Sequence, residues 1–205
     1  MSGVMSGLDT PKAVKYSKVW NLPNILTYGR IAAVPAVAGL LLWDTHAARW
    51  SALAIYVIAA ITDFFDGYLA RKWQQQSSLG RMLDPIADKV LVAVVLLVLC
   101  ADDILRGGHI WAAIIILSRE VLVSGLREYL GELQVSVPVT QIAKWKTAVQ
   151  LVAVGFLIAG PAGDALFASS PVVTTIGIAM LWVAAGLTLY TGYDYFRAGI
   201  RHVVD

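Results

Sequence analysis

The chain has 205 residues, 58% of them hydrophobic and 15% charged, with a mean hydropathy of +0.69. Soluble domains run near about 45–50% apolar and roughly 25% charged, which excludes an ordinary soluble fold. A single cysteine, Cys100, rules out a disulfide scaffold, and a net charge of +2 makes no case for a nucleic-acid partner.

The first 20 residues are polar, and Lys12, Lys15 and Lys18 suit a cytoplasmic tail that touches anionic headgroups. No signal-peptide pattern precedes the first apolar run, so that run is expected to persist as an uncleaved helix. Apolar runs then follow at Asn24–Trp43, Arg49–Arg71, Leu83–Ala101, Ile110–Leu130, Ile142–Gly160 and Val172–Phe196. Each has about the 20 residues a helix needs to cross hydrocarbon. Six such runs leave too little polar material to cover them. The predicted fold is therefore an all-α integral membrane protein with six transmembrane helices over residues 23–200, behind a tail at 1–22. With both termini cytoplasmic, every Lys and Arg except Arg49 and Arg106 falls at or near a cytoplasmic end. Trp20, Trp43, Trp50, Trp73, Trp111 and Trp145 fall at span ends, where belt residues sit.

The second and third runs carry Asp63, Asp66, Asp84 and Asp88. Carboxylates in membrane helices are costly and mark a face turned to protein or water. At 3.6 residues per turn, Asp63, Asp66, Gly67 and Ala70 share about 100° of arc. Small residues beside acids let something large approach the backbone. Asp84 and Asp88 are spaced i, i+4, hence on one helix face. Asp84 precedes Pro85, so it is expected to cap the third helix with Pro85 at the first helical position. Gly80 lies one turn earlier. Four converging carboxylates repel unless protonated or neutralised by cations. Oxygen-only ligands favour Mg²⁺ or Mn²⁺, and four of them suit a pair of ions that clamps a phosphoryl group. Arg71 can hold phosphate or pair with an aspartate.

Later in the chain, Arg127 is expected to meet headgroups or to pair with Glu120 or Glu128. His46, His109 and His202 form no pair with metal or catalytic spacing. Ser77, Ser78 and Ser118 lack a histidine partner, which argues against a triad.

The spacing Asp63-x2-Asp66-Gly67-x2-Ala70-Arg71-x8-Gly80-x3-Asp84-x3-Asp88 is similar at every fixed position to the signature of the CDP-alcohol phosphatidyltransferases. The resemblance implies six transmembrane helices, a homodimer, and a metal site at the cytoplasmic side of the inner membrane. It implies Asp63, Asp66 and Asp84 as metal ligands, with Asp88 both contributing to the metal site and acting as general base. It implies Gly67, Ala70, Arg71 and Gly80 as the positions that accept the cytidine diphosphate portion of CDP-diacylglycerol.

Asn21–Arg30 (NLPNILTYGR), Ser118–Leu130 (SREVLVSGLREYL) and Ala143–Gln150 (AKWKTAVQ) resemble the bacterial phosphatidylglycerophosphate-forming branch of that family. The acceptor is then expected to be glycerol 3-phosphate, a dianion that needs cationic partners. Arg119, Lys144 and Lys146 suit a phosphate cradle, or equally plain positive-inside bias with snorkelling. Asn24 and Thr27 can hydrogen-bond the nucleotide or cap the first helix. Arg30 can pair with a site aspartate or reach the interface. Two alternatives stay open here: a transferase with another acceptor, such as inositol phosphate or phosphatidylglycerol, and a divalent-cation transporter.

Overall fold

The computed structural model describes residues 22–73, 78–134, 141–168 and 170–200; within these, the side chains of 22, 23, 64–73, 78–81, 84, 132 and 198–200 lie outside the description. The helices are α1 (Leu22–Leu42), α2 (His46–Trp73), α3 (Ser78–Ala101), α4 (Ile110–Glu132), α5 (Gln141–Asp164) and α6 (Val172–Ile200), with 3-10 turns at Gly107–His109 and Ala165–Phe167. The described residues contain no strand. Four stretches, Asn24–Leu42, Gly107–Gly131, Gln141–Phe167 and Val172–Arg197, are long and apolar enough to cross a membrane.

Helix boundaries follow local chemistry. Asp44 takes a positive φ in the tight α1–α2 turn, and the Thr45 hydroxyl accepts from the Ala48 N–H, capping α2. In α3 the expectation at Asp84 is corrected. The helix begins at Ser78 and runs through Pro85, so Asp84 lies inside it and not at its cap. Pro85 deprives the carbonyl four residues back of its usual donor, an interruption that membrane helices tolerate when neighbours compensate. The fifth run, read as ending at Gly160, kinks there (φ 34°, ψ −118°), and the helix continues through Pro161 to Asp164. Asp164 then organises the entry to α6, accepting from the Val173 N–H (2.7 Å), the Thr174 N–H (3.1 Å) and the Thr174 hydroxyl (2.5 Å).

The core is apolar and continuous, built on Val37 and Leu41 of α1, Leu96 and Leu99 of α3, Ile116 of α4, Leu157 and Ile158 of α5, and Leu181 of α6. Outside it, Leu42, Ile58, Leu97, Val121, Leu122, Val183 and Leu189 are exposed, a surface suited to lipid. In hydrocarbon, association rests on close packing rather than on apolar burial. α5 and α6 form the most extensive pair. A Cβ on Gly177 would fall 2.9 Å from Leu157, and one on Gly163 only 2.8 Å from Val173.

One polar cluster closes the end of the bundle opposite the acidic segment. Arg49 is 2% exposed; its Nη2 donates to Asp102 and lies 3.5 Å from Asp44. This joins the start of α2 to the residue just past α3. Trp43, Trp111 and Trp145 are exposed at helix ends, in line with a belt role. Trp182 is mid-helix and donates its indole N–H to His109 Nδ1 at 3.2 Å.

Candidate active site

On α1, Asn24, Thr27 and Arg30 recur at a spacing of three, and all three are buried. They form a polar stripe on a helix that packs on α2 and α3. Arg30 Nη1 meets Asp63 Oδ1 of α2 at 2.6 Å; the guanidinium side chain is 1% exposed and the carboxylate 41%. Of the two roles open to Arg30, pairing with a site aspartate is the one observed. Asp88 of α3 is half-buried and lies within electrostatic reach of Asp63, Arg30, Glu120 and Lys89. Nearby, the Tyr56 hydroxyl donates to the Leu151 carbonyl at 3.2 Å, tying α2 to α5.

The backbones at Asp66, Gly67, Ala70 and Arg71 are helical in α2, and those at Gly80 and Asp84 in α3. Their side chains lie outside the described residues. Helical register places Asp66 less than a turn beyond Asp63, and Asp84 one turn before Asp88.

A second cluster joins α4, α5 and α6. Lys146 is 3% exposed and donates to Glu120 Oε1. Arg119 Nη1 lies 3.7 Å from the same oxygen, its Nη2 donates to the Thr191 hydroxyl at 3.1 Å, and its guanidinium stands 5.9 Å from the Tyr195 ring centroid. Lys144 is exposed. Two residues apart on a helix, the lysines point about 200° apart, so only Lys146 turns inward. Arg127 donates to the Tyr195 hydroxyl at 3.3 Å and lies 5.5 Å from that ring, in place of the Glu120 or Glu128 pairing expected from sequence. The sequence reading missed Glu120, Tyr195 and Thr191 as parts of this cluster. An acid beside Arg119 in an apolar run was the available signal for Glu120; nothing local marks the other two.

The described part of the site fits a hard cation in the chemistry of its donors. Asp63 and Asp88 offer carboxylate oxygens, while His46 and His109 lie at the opposite end of the bundle. Among the described residues, no three metal-ligating side chains gather.

Beside these clusters, an apolar cavity of about 690 Å³ lies between α2 and α5. Its lining includes Leu53, Tyr56, Ala60, Ile61, Val152 and Phe156. Val57, Ile61 and Val152 of this lining are themselves exposed, so the cavity opens sideways.

Comparison with known proteins gives these features a context. The CDP-alcohol phosphatidyltransferase family profile matches residues 20–190. A CDP-diacylglycerol–glycerol-3-phosphate 3-phosphatidyltransferase of Cereibacter sphaeroides is 40% identical, over 91% of this chain and 98% of that protein. An enzyme of the same name from Rickettsia bellii is 44% identical, over 87% and 94%. A cardiolipin synthase (CMP-forming) of Oryza sativa is 38% identical, over 88% of this chain and 57% of that protein. Members of the matched family generally use divalent metal ions. With the acidic signature on two adjacent helices and a profile match running from the start of α1 well into α6, the chain belongs to the CDP-alcohol phosphatidyltransferase family.

Proposed function

We propose that the protein transfers the phosphatidyl group of CDP-diacylglycerol to glycerol 3-phosphate, giving phosphatidylglycerophosphate and CMP. The observation that carries this reading is the meeting of two charged clusters around Asp88. Arg30 with Asp63 forms one and Lys146 with Glu120 the other, and groups of both act electrostatically on Asp88. The first suits a nucleotide diphosphate with its cations, the second an anionic acceptor. Full-length similarity to relatives named for this reaction supports the same choice.

In this reading all six helices cross the inner membrane as one domain over residues 23–200, with residues 1–22 as a tail, both termini cytoplasmic and the site facing the cytoplasm. The apolar outer surface and the basic residues flanking the acidic end support that orientation. The protein acts as a homodimer; α4, whose stretch Gly107–Gly131 buries the smallest share among the four long apolar stretches, offers surface for a second copy.

Asp63, Asp66, Asp84 and Asp88 hold two Mg²⁺ or Mn²⁺ ions. Bound there, the ions supply Lewis-acid stabilisation of charge on the phosphoryl oxygens. Gly67, Ala70, Arg71 and Gly80 take the cytidine diphosphate, with Asn24 and Thr27 beneath it on α1, and the cavity between α2 and α5 takes acyl chain. Arg119 and Lys146 hold the acceptor phosphate, and Lys144 draws it in from the surface. Asp88 removes the proton from the primary hydroxyl of glycerol 3-phosphate. The oxygen bonds to the phosphorus that bears diacylglycerol, and the bond from that phosphorus to the CMP oxygen breaks. Positioning and electrostatic stabilisation carry most of such a rate.

The test is purified protein in vesicles, given CDP-diacylglycerol with one alcohol at a time. CMP release that depends on glycerol 3-phosphate is expected. Preference for inositol phosphate or phosphatidylglycerol would reassign the acceptor, and cation uptake without CMP release would overturn the transferase reading.

A further inference from the structure

Glu120 sits between the two cations that the proposed acceptor site needs, yet the transfer chemistry itself assigns it no task. Its Oε1 accepts from Lys146 Nζ and lies 3.7 Å from Arg119 Nη1. The two cations are not held alike. Arg119 has anchors on α6, the Thr191 hydroxyl and the Tyr195 ring, and it lies across Gly192, where a Cβ would come within 3.0 Å of its Cγ. Lys146 is more deeply buried than Arg119, on a flexible four-carbon stem, and among the described residues Glu120 is the one acid it bonds. A buried ammonium takes its position from its partner, and removing that partner leaves an uncompensated charge.

We propose that Glu120 is the positioning residue of the acceptor site: it holds the buried Lys146 ammonium in place and exchanges it to the acceptor's phosphate on binding. The inference rests on the transferase reading above. Arg119, Lys146 and Glu120 together carry a single positive charge, so the empty site is nearly balanced. An arriving phosphate replaces the carboxylate as the lysine's partner, and the lysine is never buried alone. The acid thereby stores a cation that would otherwise be costly to keep in the bundle.

The experiment titrates glycerol 3-phosphate calorimetrically into the full-length protein in phosphatidylcholine nanodiscs with Mg²⁺, and measures steady-state kinetics on the same samples. Glu120→Gln keeps the side chain's shape. It is expected to weaken glycerol 3-phosphate binding and raise its KM about tenfold, the equivalent of one charge-assisted hydrogen bond. kcat and the KM for CDP-diacylglycerol should stay within a factor of about three, which also reports an intact fold. In a Lys146→Ala background the sign should reverse. With no lysine to hold, Glu120 only repels the phosphate, so Glu120→Gln there should tighten binding.

Equal weakening in both backgrounds, or a matched rise in both KM values, would overturn the proposal. So would tighter binding on Glu120→Gln with Lys146 present, since the acid would then be a competitor. Binding without turnover would overturn the transferase reading while leaving the exchange readable from calorimetry. No binding of glycerol 3-phosphate by the unaltered protein would overturn both.

Discussion

Arg30 of α1 and Asp63 of α2 meet at 2.6 Å, with the guanidinium sealed inside the bundle and the carboxylate open on its other side. A carboxylate held from behind by a cation keeps its free oxygen edge aimed into the site. The pair therefore orients one of the proposed ligands and closes the helix contact beneath it. Arg30→Ala should lower the melting temperature of the protein in nanodiscs and reduce turnover, with Arg30→Lys recovering stability better than activity because it lacks the planar fork. Since Asp63 is substantially exposed, the stability loss should fall below the roughly 3–5 kcal/mol of breaking a fully buried pair. Thermal unfolding followed by tryptophan fluorescence, alongside CMP release, checks both.

Asp88→Asn should leave a folded protein with kcat reduced by about 10²–10⁴-fold, the range for loss of a general base. An amide accepts no proton at neutral pH. Rates measured at saturating Mg²⁺ and saturating substrates separate this from weakened metal binding.

The Arg49–Asp102 pair at the other end should matter for stability alone. Arg49→Met strands a carboxylate that is one-fifth exposed, and Asp102→Asn leaves a buried guanidinium with only the exposed Asp44 carboxylate, 3.5 Å away, while its Nη1 already lacks an acceptor among the described residues. Each single change should lower the melting temperature, and the double change should recover much of the loss, because paired removal leaves no lone charge. KM for either substrate should not move.

Gly177→Ala should destabilise the α5–α6 contact by about 1–3 kcal/mol, the usual cost of overpacking. Its new methyl would stand 2.9 Å from Leu157, with Phe156 close behind. Gly186→Ala on the same helix meets nothing within 4 Å and should be neutral. Melting temperatures of the two variants form the comparison.

Filling the lateral cavity should act on the lipid substrate only. Ala60→Phe projects a ring among Tyr56, Ile61 and Phe156. Apparent KM for CDP-diacylglycerol should rise, more for long acyl chains than for short ones, while KM for glycerol 3-phosphate stays constant.

Much of this was legible in the residues, and the exceptions have physical causes. Each of the six apolar runs corresponds to a helix, because hydropathy and length dominate in a chain this apolar, and four of the stretches are long and apolar enough to cross a membrane. The start of α3 was misplaced because Pro85 carries a strong boundary signal, which the preceding turn, from Ser78, overrides. Arg30 was left with two roles, and only three-dimensional placement chose between them. Arg49 read as an exception on the far side; its partner Asp102 is distant in sequence, and no periodicity links residues on different helices. Of the readings open to Arg127, the pairing with Glu120 or Glu128 gave way to Tyr195 for the same reason. Neighbouring acids are visible in a sequence, whereas Tyr195 becomes a neighbour only once α6 packs against α4.

The sideways opening between α2 and α5 has a kinetic consequence. An occupant that enters there is drawn from the surrounding two-dimensional fluid, so its effective supply is a mole fraction and not a bulk molarity. Diluting CDP-diacylglycerol with inert phospholipid, at unchanged total amount per millilitre, should slow the reaction, and the water-borne reactant should show no such dependence.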